Sequence, residues 1–159
     1  MGPGRHDPRA RSNQLMLMAG LDKNTPLPIR IVVHRQSRVL ELAYDDGNAF
    51  RLPFELLRVY SPSAEVRGHG PGQEVLQTGK RSVDIEVVEQ VGNYAIQPRF
   101  SDGHDTGIFS WDYLHWLGVN QSDLWQDYLR RLEAAGESRD PAGTVGAPAV
   151  ATQVSRPRN

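Results

Sequence analysis

The chain reads as an α+β fold, a small antiparallel sheet built from hairpins with two or three short helices packed on it, and three observations predict this. Apolar residues alternate with polar ones in short runs, once between Ile29 and Leu52 and again between Val83 and Phe109. The two clearest turns, Asp45-Asp46-Gly47-Asn48 and Gly92-Asn93, interrupt those runs at hairpin spacing. Stretches with helical spacing follow each run instead of alternating with single strands.

Ile29-Arg30-Ile31-Val32-Val33 forms the first strand and Val39-Leu40-Glu41-Leu42-Ala43-Tyr44 the second, with His34 to Arg38 as the loop between them. Asp-Gly tolerates the positive backbone angles of a tight hairpin, so Asp45 to Asn48 turns the chain into Phe50-Arg51-Leu52. Pro53 cannot donate to a ladder but suits the first turn of a helix, which Phe54, Leu56, Leu57 and Tyr60 continue until Pro62. Gly68-His69-Gly70-Pro71-Gly72-Gln73 is a loop by composition. Strands resume at Val83 to Val91, Tyr94 to Phe100 and Gly107 to Phe109. Ser110 then reads as an N-cap, with Asp112 in the first turn, and Trp111, Leu114 and Leu117 form a stripe before Gly118 closes the helix. Asn120 or Ser122 caps the last helix, where Leu124, Trp125, Tyr128, Leu129 and Leu132 share a face and Arg130 and Arg131 sit near the negative end.

With 159 residues, 38% of them hydrophobic and 8% aromatic, the chain supports one modest core. Residues 1–25 and 136–159 are expected to be a disordered arm and a disordered tail, because neither buries enough apolar surface to offset its ordering entropy. The domain between them runs from Pro26 to about Ala135. Eighteen basic against nineteen acidic residues leave a net charge of -1, so neither nucleic acid nor an anionic membrane is an expected partner, although both ends are locally basic. The absence of cysteine removes disulfides, thiolate chemistry and Cys-ligated zinc, and is compatible with a reducing compartment. Leu15 to Ala19, the longest apolar patch near the start, is too short for a secretory core or a membrane span, and a cytoplasmic location is expected.

Ionisable and aromatic side chains converge only between Asp102 and Trp116. Asp102, His104 and Asp105, with His69 brought near by folding, offer the nitrogen and oxygen ligands that suit iron or another divalent ion. Hydrogen bonds from His104 to Ser61, Ser63 or a backbone carbonyl are the plainer role. Trp111, His115 and Trp116 would form an aromatic patch able to anchor a protein partner wherever they face outward; otherwise they are core. Asp105-Thr106-Gly107 lacks the second copy that aspartic protease chemistry needs, and Gly68-x-Gly70-x-Gly72 lacks the preceding strand of a phosphate loop, so both read as turns.

Three stretches together carry a family likeness: Leu52-Pro53-Phe54-Glu55-Leu56-Leu57-Arg58-Val59-Tyr60-Ser61-Pro62-Ser63-Ala64-Glu65-Val66, Gly68-His69-Gly70-Pro71-Gly72-Gln73, and Ser101-Asp102-Gly103-His104-Asp105-Thr106-Gly107-Ile108-Phe109-Ser110-Trp111. Over about Pro26 to Arg131 the chain resembles the gamma-butyrobetaine hydroxylase-like N-terminal domain. In the family's hydroxylases this domain precedes an iron- and 2-oxoglutarate-dependent catalytic domain. The stretch 136–159 is too short for such a domain, which needs roughly 50 residues or more. The resemblance therefore implies the accessory module without the oxygenase. It also implies a zinc site of the form Cys-Pro-Cys-x-x-Cys plus a later histidine, but here the run reads Ser61-Pro62-Ser63-Ala64-Glu65-Val66 and only His104 matches, so a structural zinc is not expected.

Two functions are expected from these readings. The first is a non-catalytic interaction or accessory module with a protein partner. Its context in iron–sulfur or metal-cofactor metabolism comes only from the resemblance, since some plant members join the domain to a P-loop ATPase that carries iron–sulfur clusters. The second is a small metal- or ligand-binding protein that uses the His69 and His104 loops as one site. No nucleophile–base pair or paired-carboxylate spacing stands out, and a free-standing enzyme is not expected.

Overall fold

Alternation at the start of the domain produces three antiparallel strands, β1 (Pro28–His34), β2 (Val39–Tyr44) and β3 (Ala49–Pro53), in the spatial order β1-β2-β3. The computed structural model describes residues 25–141; the expected N-terminal arm and the tail beyond that point lie outside them. Leu40, Leu42 and Tyr44 point to the core, and β2 holds Leu40 opposite Val33 on one side and Leu52 on the other. Gly47 turns the second hairpin with φ of 90°, and Asp46 Oδ1 accepts the Asn48 amide at 2.9 Å.

After β3 the chain enters α1 (Phe54–Val59), and all six of its residues are buried. A helix without a solvent side can hold charge only in pairs, and both of its charged residues are paired, Glu55 with Arg139 and Arg58 with Asp102. The short helix α2 (Ala64–Arg67) follows, between Pro62 and the Gly68 to Gln73 loop, where the sequence suggests no element.

A second antiparallel sheet comprises β4 (Ile85–Val91), β5 (Ala95–Phe100) and β6 (Phe109–Ser110), in the order β4-β5-β6. The α+β class and its hairpins hold, but the strands divide between two sheets instead of forming one. Beyond β3 the neighbouring element is α3 (Trp111–Val119), which packs on it through Phe50, and not a further strand. Leu40, Leu42, Leu56, Ile85, Ile96, Phe109 and Leu114 join both sheets, α1 and α3 in one core. Each such side chain, fully buried, stabilises by roughly 1.5–3 kcal/mol relative to an exposed one. The last helix, α4 (Gln121–Ala135), adds Tyr128 and Leu132 against Val59.

Ser110 caps α3, its hydroxyl accepting the Tyr113 amide at 3.3 Å. Gly118 does not end this helix; α3 continues to Val119, and the glycine serves packing, since a Cβ there would stand 2.3 Å from the Phe50 ring. Asn120 sends its side-chain amide back to the Trp116 carbonyl at 2.9 Å and makes no side-chain cap for α4. Arg130 and Arg131 lie ahead of the last turn and pair with Asp127 at 3.3 and 3.1 Å. By composition the domain ends at about Ala135. Here Ser138 and Arg139 accept the amides of Gly79 and Arg81 at 3.0 and 2.9 Å, so the ordered body passes the expected boundary. Among the described residues, no helix is long and apolar enough to cross a membrane.

Candidate functional site

Two loops meet at His104. The first leaves α1 through Ser61-Pro62-Ser63, with Ser63 extended at φ of -72° and ψ of 157° ahead of α2, its hydroxyl unused as a cap. The second is the turn after β5, where Phe100 donates its amide to the His104 carbonyl at 2.9 Å and Gly103 takes φ of 92°. That tight turn aims His104 inward. Its Nε2 lies 2.9 Å from Ser61 Oγ and 3.3 Å from Ser63 Oγ, while its Nδ1 lies 3.0 Å from Glu65 Oε1. Gly107 lets the loops touch: a Cβ on it would stand 2.2 Å from Ser61 Oγ.

These contacts are satisfied by a neutral ring whose Nδ1–H donates to Glu65 and whose Nε2 accepts a serine hydroxyl. Burial pushes the His104 imidazolium below its ordinary 6.5, with help from the Arg58 charge and against the pull of Glu65 and Asp102. Asp102 shows the opposite balance of causes: desolvation disfavours its charge, but bonds from Lys80 and the His104 amide, with the Arg58 guanidinium, hold it down at about 2. Arg58 Nε reaches Asp102 Oδ2 at 2.9 Å and its Nη1 reaches Gln77 Oε1 at 2.9 Å, so this buried cation is satisfied on two sides.

A pH dependence follows with a definite sign. Both folded-state pKa values are depressed, so the unfolded chain binds more protons in acid and stability must fall as pH falls. It is fully present above about 6.5, declines first as His104 is forced to charge, and declines again between about 4 and about 2 as Asp102 protonates. Thermal melts from neutral pH into acid are expected to show both stages for the native chain, and only the lower one for His104→Phe. Identical profiles for the two proteins between about pH 7 and 5 would contradict the first stage.

Ser61, His104 and Glu65 stand in the order and spacing of a nucleophile, a base and an orienting carboxylate. No sequence signal indicated this arrangement, because the serine and histidine are 43 positions apart and Glu65 had no assigned role. Ser61, however, is 0% exposed and Gly107 packs onto its hydroxyl, so no substrate carbonyl can approach it. The arrangement is a clasp between two loops.

The residues considered as metal ligands are not brought to one point. Asp102 is committed to Arg58 and Lys80, Asp105 and His69 are exposed, and only His104 faces inward. Among the described residues no group of three or more His, Cys, Asp or Glu side chains is arranged to hold a metal ion. Nor do the donors at the clasp suit a structural zinc, because neutral serine hydroxyls are poor ligands and Val66 offers no donor.

The three residues considered for partner binding also separate. Trp111 is buried, with its indole N–H donating to the Asn93 carbonyl at 2.8 Å. His115 packs edge-on against both the Tyr44 and Phe50 rings, 4.8 and 5.2 Å from their centroids, and lies 2.8 Å from Asp46 Oδ2. Trp116 is 46% exposed and stacks on Tyr113, with centroids 5.7 Å apart and planes at 24°. With Pro62, Ile108, Ser110, Arg67 and Asp112 this pair lines an open cleft of about 650 Å³ beside the clasp. Tyr113 is held in place by a hydrogen bond from its hydroxyl to the Tyr60 carbonyl at 2.5 Å.

Residues 31–115 match the family described as gamma-butyrobetaine hydroxylase-like, N-terminal. Two structures solved by NMR in solution are similar. One is 46% identical with a TM-score of 0.66, over 80% of this chain and 100% of its own. The other is 48% identical with a TM-score of 0.65, over 84% and 97%. A crystal structure of a protein of unknown function from Acidithiobacillus ferrooxidans is 43% identical, with a TM-score of 0.51 over 62% of this chain and 98% of its own. No curated protein matches the chain.

Proposed function

The chain belongs to the gamma-butyrobetaine hydroxylase-like N-terminal domain family, and from that premise we propose that it is a non-catalytic interaction module, which docks a protein partner through the Trp116 cleft. The contrast between a sealed polar cluster and an open aromatic surface carries this reading: Ser61 has no exposure, whereas Trp116 and Ile108 are 46% and 43% exposed beside one another's cleft. Exposed aromatic side chains in a preformed depression, rimmed by charge, are the usual anchors of protein interfaces. Arg67 and Asp112 bring that rim one charge of each sign. Iron–sulfur or metal-cofactor metabolism is the context that the family resemblance suggests, and the lack of cysteine is compatible with a cytoplasmic setting.

A photo-crosslinking residue at position 116 tests the proposal in living cells, with one at Val75, which is 52% exposed, as control. A discrete adduct at 116 that is absent at 75 supports a docking surface. The same smear at both positions removes it.

A second reading, a small metal-binding protein with His69, Asp102, His104 and Asp105 as ligands to iron or another divalent ion, draws support from the turn that sets Asp102 and His104 side by side, the His104 amide 3.2 Å from Asp102 Oδ1. It stands second because Asp102 would have to leave Arg58 and Lys80. Elemental analysis of protein purified without a metal-affinity tag decides it: a metal-free, folded product ends this reading.

A further inference from the structure

Glu55 lies on the fully buried helix α1, and its side chain is only 7% exposed, so its carboxylate needs a cation close by. That cation arrives from the far end of the domain. Gly136 ends α4 in the left-handed conformation, φ of 67°, and releases residues 137–140 as an irregular strap, bent at Arg139 and Asp140, that packs back on the body. The strap is held by the Gly79 and Arg81 amides and by an ion pair between Arg81 and Asp140. Arg139 then forks onto Glu55, with Nε 2.9 Å from Oε2 and Nη2 2.7 Å from Oε1. Its guanidinium carbon stands 5.0 Å from the centroid of the Trp125 ring.

A recessed carboxylate that accepts two parallel N–H bonds, together with an aromatic face beside it, is chemistry selective for guanidinium. A lysine could match the charge but neither the fork nor the planar stack. Among the described residues Glu55 has no other hydrogen-bond or ion-pair partner. The slot continues into an open cleft of about 590 Å³ lined also by Val119, Gln121 and Gln126, which leaves room for more than one side chain. It shares no lining residue with the Trp116 cleft.

We propose that the Glu55–Trp125 slot is a recognition site for an arginine-bearing segment of a partner protein, and that the chain's own strap occupies it as an internal competitor. A partner segment would repeat what residues 137–140 do. It would present carbonyls to Gly79 and Arg81 and an arginine to Glu55 and Trp125.

The test uses the full chain and a blocked synthetic peptide with the sequence of residues 136–141, followed by NMR at the Trp125 indole N–H, since the strap backbone keeps the Gly79 and Arg81 amides. Arg139→Ala empties the slot without removing the strap backbone, and is expected to bind the peptide at least about tenfold more tightly than the native chain, whose own arginine competes. A peptide with lysine in place of its arginine should lose about tenfold, and Glu55→Gln added to Arg139→Ala should abolish binding. If Arg139→Ala is poorly folded, Arg139→Lys keeps the charge but weakens the internal occupant, and must show the same order against the native chain. A folded Arg139 variant that leaves the Trp125 indole resonance unmoved at millimolar peptide overturns the proposal. So does equal binding of the arginine and lysine peptides.

Discussion

Replacing His104 by alanine is expected to destabilise the domain by about 3–5 kcal/mol, read as a fall in the urea midpoint at unchanged slope. The ring is the partner of two hydroxyls, on Ser61 and Ser63, which are 0% and 5% exposed and have no water to turn to. A buried polar group stranded in this way costs about 1–3 kcal/mol, and the deleted ring leaves a cavity as well. A companion variant separates hydrogen bonding from packing. Ser61→Ala, Ser63→Ala and His104→Phe together remove the ring and both hydroxyls at nearly constant volume, leave the exposed Glu65 carboxylate to solvent, and should cost under about 1.5 kcal/mol. A His104→Ala protein within about 1 kcal/mol of the native chain would show that the clasp does not hold the loops.

A gain of metal is expected from Ser61→Cys, Ser63→Cys and Val66→Cys combined. Ser61 and Ser63 already place side-chain atoms 2.9 and 3.3 Å from one ring nitrogen, close to the roughly 3.5 Å that separates ligands around a tetrahedral zinc with bonds of about 2.0–2.3 Å. Val66 follows Ser63 by one turn of α2, its amide 3.1 Å from the Ser63 carbonyl, so a side chain there shares the same side. The variant should take up one zinc per chain, give thiolate charge-transfer bands with cobalt, and gain about 4 kcal/mol of stability at metal a thousandfold above its dissociation constant. Stability unchanged by zinc in a folded variant would mean that the three positions do not surround one point.

Much of the architecture was legible because it depends on neighbours a few residues away. Asp46 and Gly47 make their hairpin with their own local hydrogen bonds, Ser110 caps α3 from three residues away, and the Leu40, Leu42, Tyr44 alternation needs only the strand's period of two. Gly118 was misread for the opposite reason. As a helix stop it obeys a local rule, but the Phe50 ring, far away in sequence, decided that no side chain could stand there. The hydrogen bonding of His104 to Ser61 and Ser63 was among the alternatives visible beforehand, through the pairing of the serine run with the later loop; Glu65 as the partner of Nδ1 was not.

The amino-acid sequence by itself determined the class of fold, the two strong turns, the cap of α3, the absence of thiol chemistry and the family. Only the tertiary structure decided that the strands split into two sheets, that Trp116 is the exposed aromatic of its helix, and that Arg139 belongs to the domain. The physical reason is distance along the chain. A turn or cap is satisfied within about one helical turn, whereas Ser61 meets His104 across 43 positions and Glu55 meets Arg139 across 84, so the chemistry of each depends on which surfaces the core brings together.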